Sequence, residues 1–135
     1  MKRRAPRRLL AVTTSALLLS AACGGGGDNG FGRADADAVI EVTLADFVFR
    51  DLPASVQGGR VFFTATNIGP SEHELEVLDA GGEAVDEIEA HPPGTGPKTL
   101  AVRLKPGAYT VQCILKTPDG RSHADLGMTA ALQVR

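Results

Sequence analysis

Beyond the first 37 residues, the chain alternates between hydrophobic and polar positions in short runs separated by turn-forming residues. In the first run, Ile40, Val42 and Leu44 share one face and polar residues lie between them. A two-residue period is the pattern of a half-buried β-strand, and no stretch of this region keeps a convincing helical period. The pattern therefore predicts an all-β fold.

Further runs of this kind follow at regular intervals. A short segment holds Phe47 and Phe49, and residues 83–90 form either a loop or a short edge strand. Together they predict about seven strands in a Greek-key β-sandwich or barrel. The longer runs are residues 60–67 (RVFFTATN), 72–79 (EHELEVLD), 99–104 (TLAVRL), 108–114 (AYTVQCI) and 128–134 (MTAALQV).

The first 22 residues have the pattern of an export signal, with a basic start, an apolar stretch at 9–19 and small residues just before Cys23. A small-residue site ending in cysteine resembles the lipobox of bacterial lipoproteins, in which that cysteine is lipidated. We therefore expect residues 1–22 to be a signal peptide. Ordinary secretion with cleavage nearby is the alternative, and the Sec and twin-arginine export routes both remain open.

The glycine-rich stretch 23–37 is expected to be a flexible tether, and residues 38–135 a single domain of ordinary size. If Cys23 is lipidated, the domain is exported and anchored on the extracytoplasmic face of the cell membrane. We also expect the protein to be a monomer.

Charge narrows the range of partners. Five of the 14 basic residues lie in the first 22 residues, which hold no acidic residue. The rest of the chain carries nine basic and 16 acidic residues, a formal charge of −7. Nucleic-acid binding needs a basic surface, so no nucleic-acid partner is expected.

Only two cysteines are present, Cys23 and Cys113. If Cys23 is lipidated, Cys113 has no disulfide partner in the chain. An odd thiol in an oxidising compartment is either buried and inert or bound to something.

Residues with metal-binding side chains recur at the inward positions. His73, Cys113 and Met128 each fall on the hydrophobic face of their own strand, where an unpartnered imidazole costs about 1–3 kcal/mol. His123 lies in the loop between the last two strands, and such a loop can bring it to the same end of the sandwich. Two imidazoles, a thiolate and a weak thioether favour one copper ion in a trigonal site with a long axial bond.

The chain resembles the cupredoxins, the type 1 copper proteins, from about residue 39 to residue 134. The resemblance rests on DFVF, GGRVFFTATNIG leading into SEHEL, LKPGAYTVQC, and HADLGM before the final strand. It implies a copper ligand set of His73, Cys113, His123 and Met128. Two features depart from the family: nine residues separate Cys113 from His123 where two to four are usual, and Glu74 replaces a bracing asparagine.

Other residues have plainer interpretations. His91, before Pro92 and Pro93, is expected to be an exposed loop residue without a metal role. Glu72, Glu74 and Glu76 are expected to form a solvated strand face. Taken singly, a strand cysteine, an inward histidine or a methionine is more often core packing than a ligand.

These observations favour a copper protein that transfers single electrons, with the redox partner unknown. His123, on the loop and part exposed, is the expected electron route. One alternative is a copper carrier that uses the same residues and delivers copper to an acceptor protein. Another is a metal-free β-sandwich that serves as an interaction module. No arrangement typical of a hydrolase is apparent, so the protein is not expected to be an enzyme.

Overall fold

The structure, a computed structural model, describes residues 30–135 as two β-sheets packed face to face. The predicted signal peptide, the Cys23 lipidation site and residues 23–29 lie outside the described residues. Residues Arg33–Asp35 form a 3-10 turn, and Asp37 then pairs with Arg60 of the sandwich at 3.2 Å. No helix within residues 30–135 has the length and apolar character needed to cross a membrane.

Nine strands form the sandwich in the described part of the chain. One sheet has the order β2-β1-β4-β7 and the other β3-β9-β8-β5-β6. Neighbours pair antiparallel except β1 with β4 and β3 with β9, which are parallel. The strands are β1 Ala38–Ala45, β2 Val48–Arg50, β3 Ser55–Val56, β4 Gly59–Asn67, β5 His73–Leu78, β6 Ala84–His91, β7 Lys98–Leu104, β8 Gly107–Gln112 and β9 Thr129–Val134.

The predicted all-β sandwich is confirmed, with nine strands where about seven were expected. β2, with three residues, falls in the short segment that holds Phe47 and Phe49, whereas β3, with two residues, matches no predicted run. Alternation cannot be recognised over two residues, so β3 is set by its pairing with β9. The stretch at 83–90 is an edge strand, β6.

The core lies between the sheets and includes Ile40, Val42 and Leu44, which alternation predicted to share a face. Burial of this apolar surface is the main contribution to the stability of the fold. The largest side chain at its centre is Phe63 of β4. The core comprises Ile40, Val42, Leu44, Val61, Phe63, Ala65, Leu75, Val77, Ile88, Leu100, Val102, Leu104, Val111, Cys113, Met128, Leu132 and Val134.

The topology brings distant parts of the chain to one end of the sandwich. β5 begins at His73 beside the end of β8, and β9 begins beside that same end. Ile68, just after β4, donates its amide to Leu44 O near the end of β1. The residues after β1, β4 and β8 and before β5 and β9 therefore lie close together.

Candidate metal centre

Three of the four predicted ligands converge at this end. The imidazole Nδ1 atoms of His73 and His123 lie 3.2 Å apart, and Cys113 Sγ lies 3.4 Å from His123 Nδ1. One donor atom from each residue falls within 4.8 Å of the others, and all three residues are buried. This cluster could hold one metal ion.

His73 enters the cluster from the first position of β5, and the structure buries it completely. Its Nε2 lies 3.2 Å from Oδ1 of Asp46, in the turn between β1 and β2. Burial lowers the pKa of His73, and the hydrogen bond to Asp46 opposes that shift. The imidazole is therefore neutral near pH 7, as a metal ligand must be.

Cys113 follows the last residue of β8, and its amide donates to Met128 O at 3.1 Å. The amide of Glu74 points at its sulfur, with N and Sγ 3.4 Å apart. Burial raises the pKa of the Cys113 thiol, while hydrogen bonds from the amides of Glu74 and Leu115 oppose the rise. Those amides favour the thiolate, which is the form that binds a metal.

The nine inserted residues do not displace His123. Residues 116 and 122 pair as an isolated bridge, so the insertion folds back on itself as a small hairpin. Beyond it, His123 N donates to Leu115 O and Ala124 N donates to Cys113 O, both at 2.8 Å. The chain therefore returns to Leu115 at His123 and to Cys113 at Ala124, and the length of the insertion is absorbed by the hairpin.

The expectation of a part-exposed His123 is wrong, because its side chain is only 4 % exposed. The ring of Phe47 packs edge-on against it at 5.0 Å between centroids. Burial lowers the pKa of His123. A surface pocket of about 210 Å³ reaches the imidazole between Ser71, Glu72 and the start of the inserted hairpin.

Met128 is also fully buried, immediately before β9. Its amide donates to His123 O at 2.9 Å, and its carbonyl accepts from Cys113 N. Backbone hydrogen bonds thus tie Met128 to both of the ligand-type residues that precede it on this loop.

Sequence reasoning missed the residues that support the cluster. Asp46 and Phe47 both lie in the β1–β2 turn, where Phe47 has a φ of 59°. A positive φ is uncommon for an aromatic residue, and here it places the ring against His123. The DFVF segment, residues 46–49, contains both residues, but its alternating pattern indicates only a strand and no contact with the cluster.

The expected solvated glutamate face is wrong for two of its three members. Glu72 is exposed, whereas Glu74 and Glu76 are buried. Glu74 Oε1 accepts the Ile114 amide at 3.0 Å, and Glu76 Oε2 accepts from Gln112 Nε2 at 2.9 Å. β5 lies between β6 and β8, so neighbouring strands cover its outward side chains. Burial raises the pKa of Glu74.

His91 is not the exposed loop residue that the prolines after it suggested. It is the last residue of β6, pairs in register with His73, and is fully buried. Its Nε2 lies 3.2 Å from Ala65 O and its Nδ1 3.1 Å from Thr95 Oγ1. Both ring nitrogens therefore have protein partners outside the cluster, which fits a structural role.

The chemistry of the cluster matches a borderline-soft metal. A thiolate with two imidazole nitrogens suits copper better than a hard oxygen-seeking ion such as Mg²⁺. Because a carboxylate only accepts hydrogen bonds, the His73–Asp46 pair leaves Nδ1 as the nitrogen with a free lone pair facing the cluster. The residues present thus fit a copper ion.

The chain resembles known proteins in its structure and not in its overall sequence. No protein-family profile matches the chain, and no curated protein matches its sequence. Reduced auracyanin from Roseiflexus castenholzii superposes with a TM-score of 0.59 at 16% identity, covering 74% of this chain and 98% of that one. Rusticyanin from Thiobacillus ferrooxidans gives 0.52 at 17% identity, covering 72% and 77%.

A multicopper oxidase also superposes, with a TM-score of 0.54 at 16% identity, over 77% of this chain and 46% of that one. At these identities the comparisons concern the fold. The two-sheet topology and the superpositions agree with the resemblance drawn from the sequence motifs. The described domain therefore has the cupredoxin fold.

Proposed function

We propose that this chain is a copper protein that transfers single electrons. His73, Cys113 and His123 would hold one copper ion, with Met128 as a weak fourth ligand. The observation that carries the proposal is the convergence of two imidazole Nδ1 atoms and one cysteine sulfur in a buried cluster. Rusticyanin, which shares the fold, is described as a copper protein, which supports the choice of metal.

A copper ion bound by thiolate and imidazole can alternate between Cu(I) and Cu(II). The residues around the cluster favour this use because they hold the donor groups in place. His73 is anchored by Asp46, the Cys113 sulfur by the Glu74 amide, and His123 by backbone hydrogen bonds. A scaffold that does not rearrange keeps the ligand positions the same in both oxidation states.

Burial supports an electron carrier over an enzyme. Catalytic metal sites keep a coordination position open to substrate. Here His73, Cys113 and Met128 are fully buried and His123 is 4 % exposed. An electron can leave through the His123 ring, which borders the surface pocket, although a substrate would have to displace protein atoms to reach the cluster.

The long loop is the observation that would favour a copper carrier, because a carrier needs a route for the metal to leave. Its backbone hydrogen bonds instead tie residues 115, 123, 124 and 128 to one another and to Cys113. We therefore propose an electron shuttle, with a redox partner protein as the second reactant.

We also propose that the protein is exported and attached to the extracytoplasmic face of the membrane through a lipid on Cys23. The support is the signal-like pattern of residues 1–22 and the small residues before Cys23. Replacing Cys23 with alanine should release the protein from the membrane fraction without changing its copper spectrum. Wild-type protein found wholly soluble after export would refute the anchor.

The absorption spectrum of the purified protein with one equivalent of Cu(II) tests the copper site. We expect an intense visible band from charge transfer between the Cys113 thiolate and the metal. Cys113→Ser and His123→Ala should each remove it. The weak absorption typical of nitrogen and oxygen copper sites would contradict the proposal and favour the metal-free interaction module.

Competition separates the shuttle from the carrier. The copper-loaded protein is cycled between oxidation states with a small redox protein in the presence of a copper acceptor protein. A shuttle exchanges electrons repeatedly and keeps its metal. Stoichiometric transfer of copper to the acceptor, with slow electron exchange, would establish the carrier instead.

A further inference from the structure

The carboxylate of Asp46 contacts the cluster from outside. Asp46 Oδ1 lies 3.2 Å from His73 Nε2, the ring nitrogen that does not face Cys113 and His123. A carboxylate accepts but does not donate, so Nε2 must carry the proton. A neutral imidazole has only one such proton. His73 Nδ1 is then left as an acceptor directed at the cluster.

Gly69 packs directly over this hydrogen bond. A Cβ atom at position 69 would lie 2.9 Å from Asp46 Oδ1 and 3.1 Å from His73 Nε2, so any side chain there would push the pair apart. Asn67 fixes the glycine by accepting its amide at 2.9 Å, and the Asn67 side-chain amide is itself bound to Ser71 O and His91 O. The loop is thus built to cover the His73–Asp46 pair.

We propose that Asp46 is a positioning residue for the metal centre: it selects the His73 tautomer that presents Nδ1, and its negative charge lowers the reduction potential of bound copper. The second half of this inference rests on the proposed function. A carboxylate behind a metal-bound histidine increases the basicity of the imidazole and fixes its orientation. A nearby negative charge also favours Cu(II) over Cu(I), because Cu(II) has the higher positive charge.

The size of the charge effect depends on how far Asp46 is buried. Because the Asp46 side chain is 38% exposed, solvent screens part of the effect. Outer partners of metal ligands typically change metal affinity by about 10–100-fold, and this exposure places the expected effect near the lower limit.

The tautomer is tested first, on the metal-free protein, by nitrogen-15 NMR of the imidazole rings. Wild-type protein should show His73 protonated at Nε2 alone. Asp46→Asn retains an oxygen acceptor and should keep that signature. Asp46→Leu fills similar space without an acceptor, so the His73 proton should move to Nδ1. An unchanged tautomer in Asp46→Leu would overturn this part of the proposal.

The charge effect is tested on the copper-loaded protein by measuring its reduction potential. Asp46→Asn should weaken Cu(II) binding relative to Cu(I) binding by about tenfold, which raises the potential by about 59 mV for one electron. The matched control is Asp51→Asn, which removes the same charge from a residue that bonds Thr43 instead of the cluster. Equal potentials in the two variants would refute tuning by Asp46.

Gly69→Ala provides an independent check, because its methyl group should separate His73 from Asp46 without changing any charge. We expect the His73 Nε2 signature to weaken as it does in Asp46→Leu. The two proposals fail differently. If wild-type protein gives no thiolate-to-copper band, the proposed function is wrong, and the tautomer of the metal-free protein still decides the role of Asp46.

Discussion

The two histidines of the cluster are held in contrasting ways. His73 belongs to a strand in the interior of its sheet, pairs in register with β6, and has a side-chain partner in Asp46. His123 belongs to a loop and is held by backbone hydrogen bonds to Leu115 and by the ring of Phe47. Strand geometry positions the first, and loop closure positions the second.

This difference shows which part of the site depends on the sandwich as a whole. Moving His73 requires β5 to move, and β5 is fixed by the core and by two neighbouring strands. Moving His123 requires only that the loop between Cys113 and Met128 opens. Stabilities within a protein range from nearly zero in loops to the global value in core strands. The part of the site that β5 holds, His73, should therefore resist local opening more than the loop that holds His123.

The largest effect on stability is expected from shortening a core side chain of β5, the strand that carries His73. Leu75 is fully buried two residues after His73, and Leu75→Ala should lower the free energy of unfolding by about 2–5 kcal/mol through lost burial and the remaining cavity. Denaturant titration of the metal-free protein measures it. Val85→Ala, at an exposed position on the edge strand β6, is the control and should change stability by about 0.5 kcal/mol or less. A loss under about 1 kcal/mol for Leu75→Ala would argue against a core-supported β5.

A smaller effect should follow from removing the neighbour of His73 across the sheet. His91→Ala leaves Ala65 O without its partner and should cost about 1–3 kcal/mol of unfolding free energy. The folded variant should nevertheless keep the copper band, whereas His123→Ala should lose it. A folded His91→Ala protein without the band would place His91 in the metal centre and contradict its structural role.

Strain in the inserted hairpin should have a still smaller and more local effect. Gly120 has a φ of 88° and open space around its α-carbon, so Gly120→Ala adds backbone strain of about 1–2 kcal/mol without a clash. Hydrogen exchange should speed up at the amides of Thr117 and Gly120, which bond within the hairpin, and stay unchanged in β5. Gly120→Asn, which tolerates this backbone region better, is the matched control. Faster hydrogen exchange in β5 as well would show that the opening of the hairpin is coupled to that of the sheet.

The pH dependence of stability should be small in mildly alkaline solution and grow on acidification. Burial lowers the pKa of His73, His91 and His123, so each is neutral in both states only well above the ordinary histidine pKa of about 6.5. As pH falls toward that value the unfolded chain binds the protons first, so the free energy of unfolding of the metal-free protein falls with pH.

Glu74 acts in the opposite sense at lower pH. Its raised pKa makes a contribution to stability that is present in acid and lost as pH rises through the folded-state value. Three histidines oppose one glutamate, so a net loss of stability on acidification is expected. His91→Gln should flatten the slope, and an identical slope in that variant would show that His91 does not titrate on unfolding.

Much of the fold and of the strand-borne part of the cluster could be predicted from the sequence. Alternation placed Ile40, Leu75 and Val111 in the core, and the same parity directed His73 and Cys113 inward. It failed for Glu74 and Glu76, because a two-residue period separates the faces of a strand without showing whether neighbours cover the outer face. The prolines after His91 suggested a loop, yet its pairing with His73 and its bond to Ala65 O hold it at the end of β6.

The sequence by itself determined the all-β character of the domain and the inward direction of His73 and Cys113. Both follow from local side-chain alternation, which is a property of each strand alone. Only the tertiary structure decided that the nine-residue insertion folds away from the cluster, that His123 is buried against Phe47, and that Asp46 reaches His73. The last two contacts join residues 76 and 27 positions apart along the chain, and they form only when the two sheets assemble, which no sequence period records.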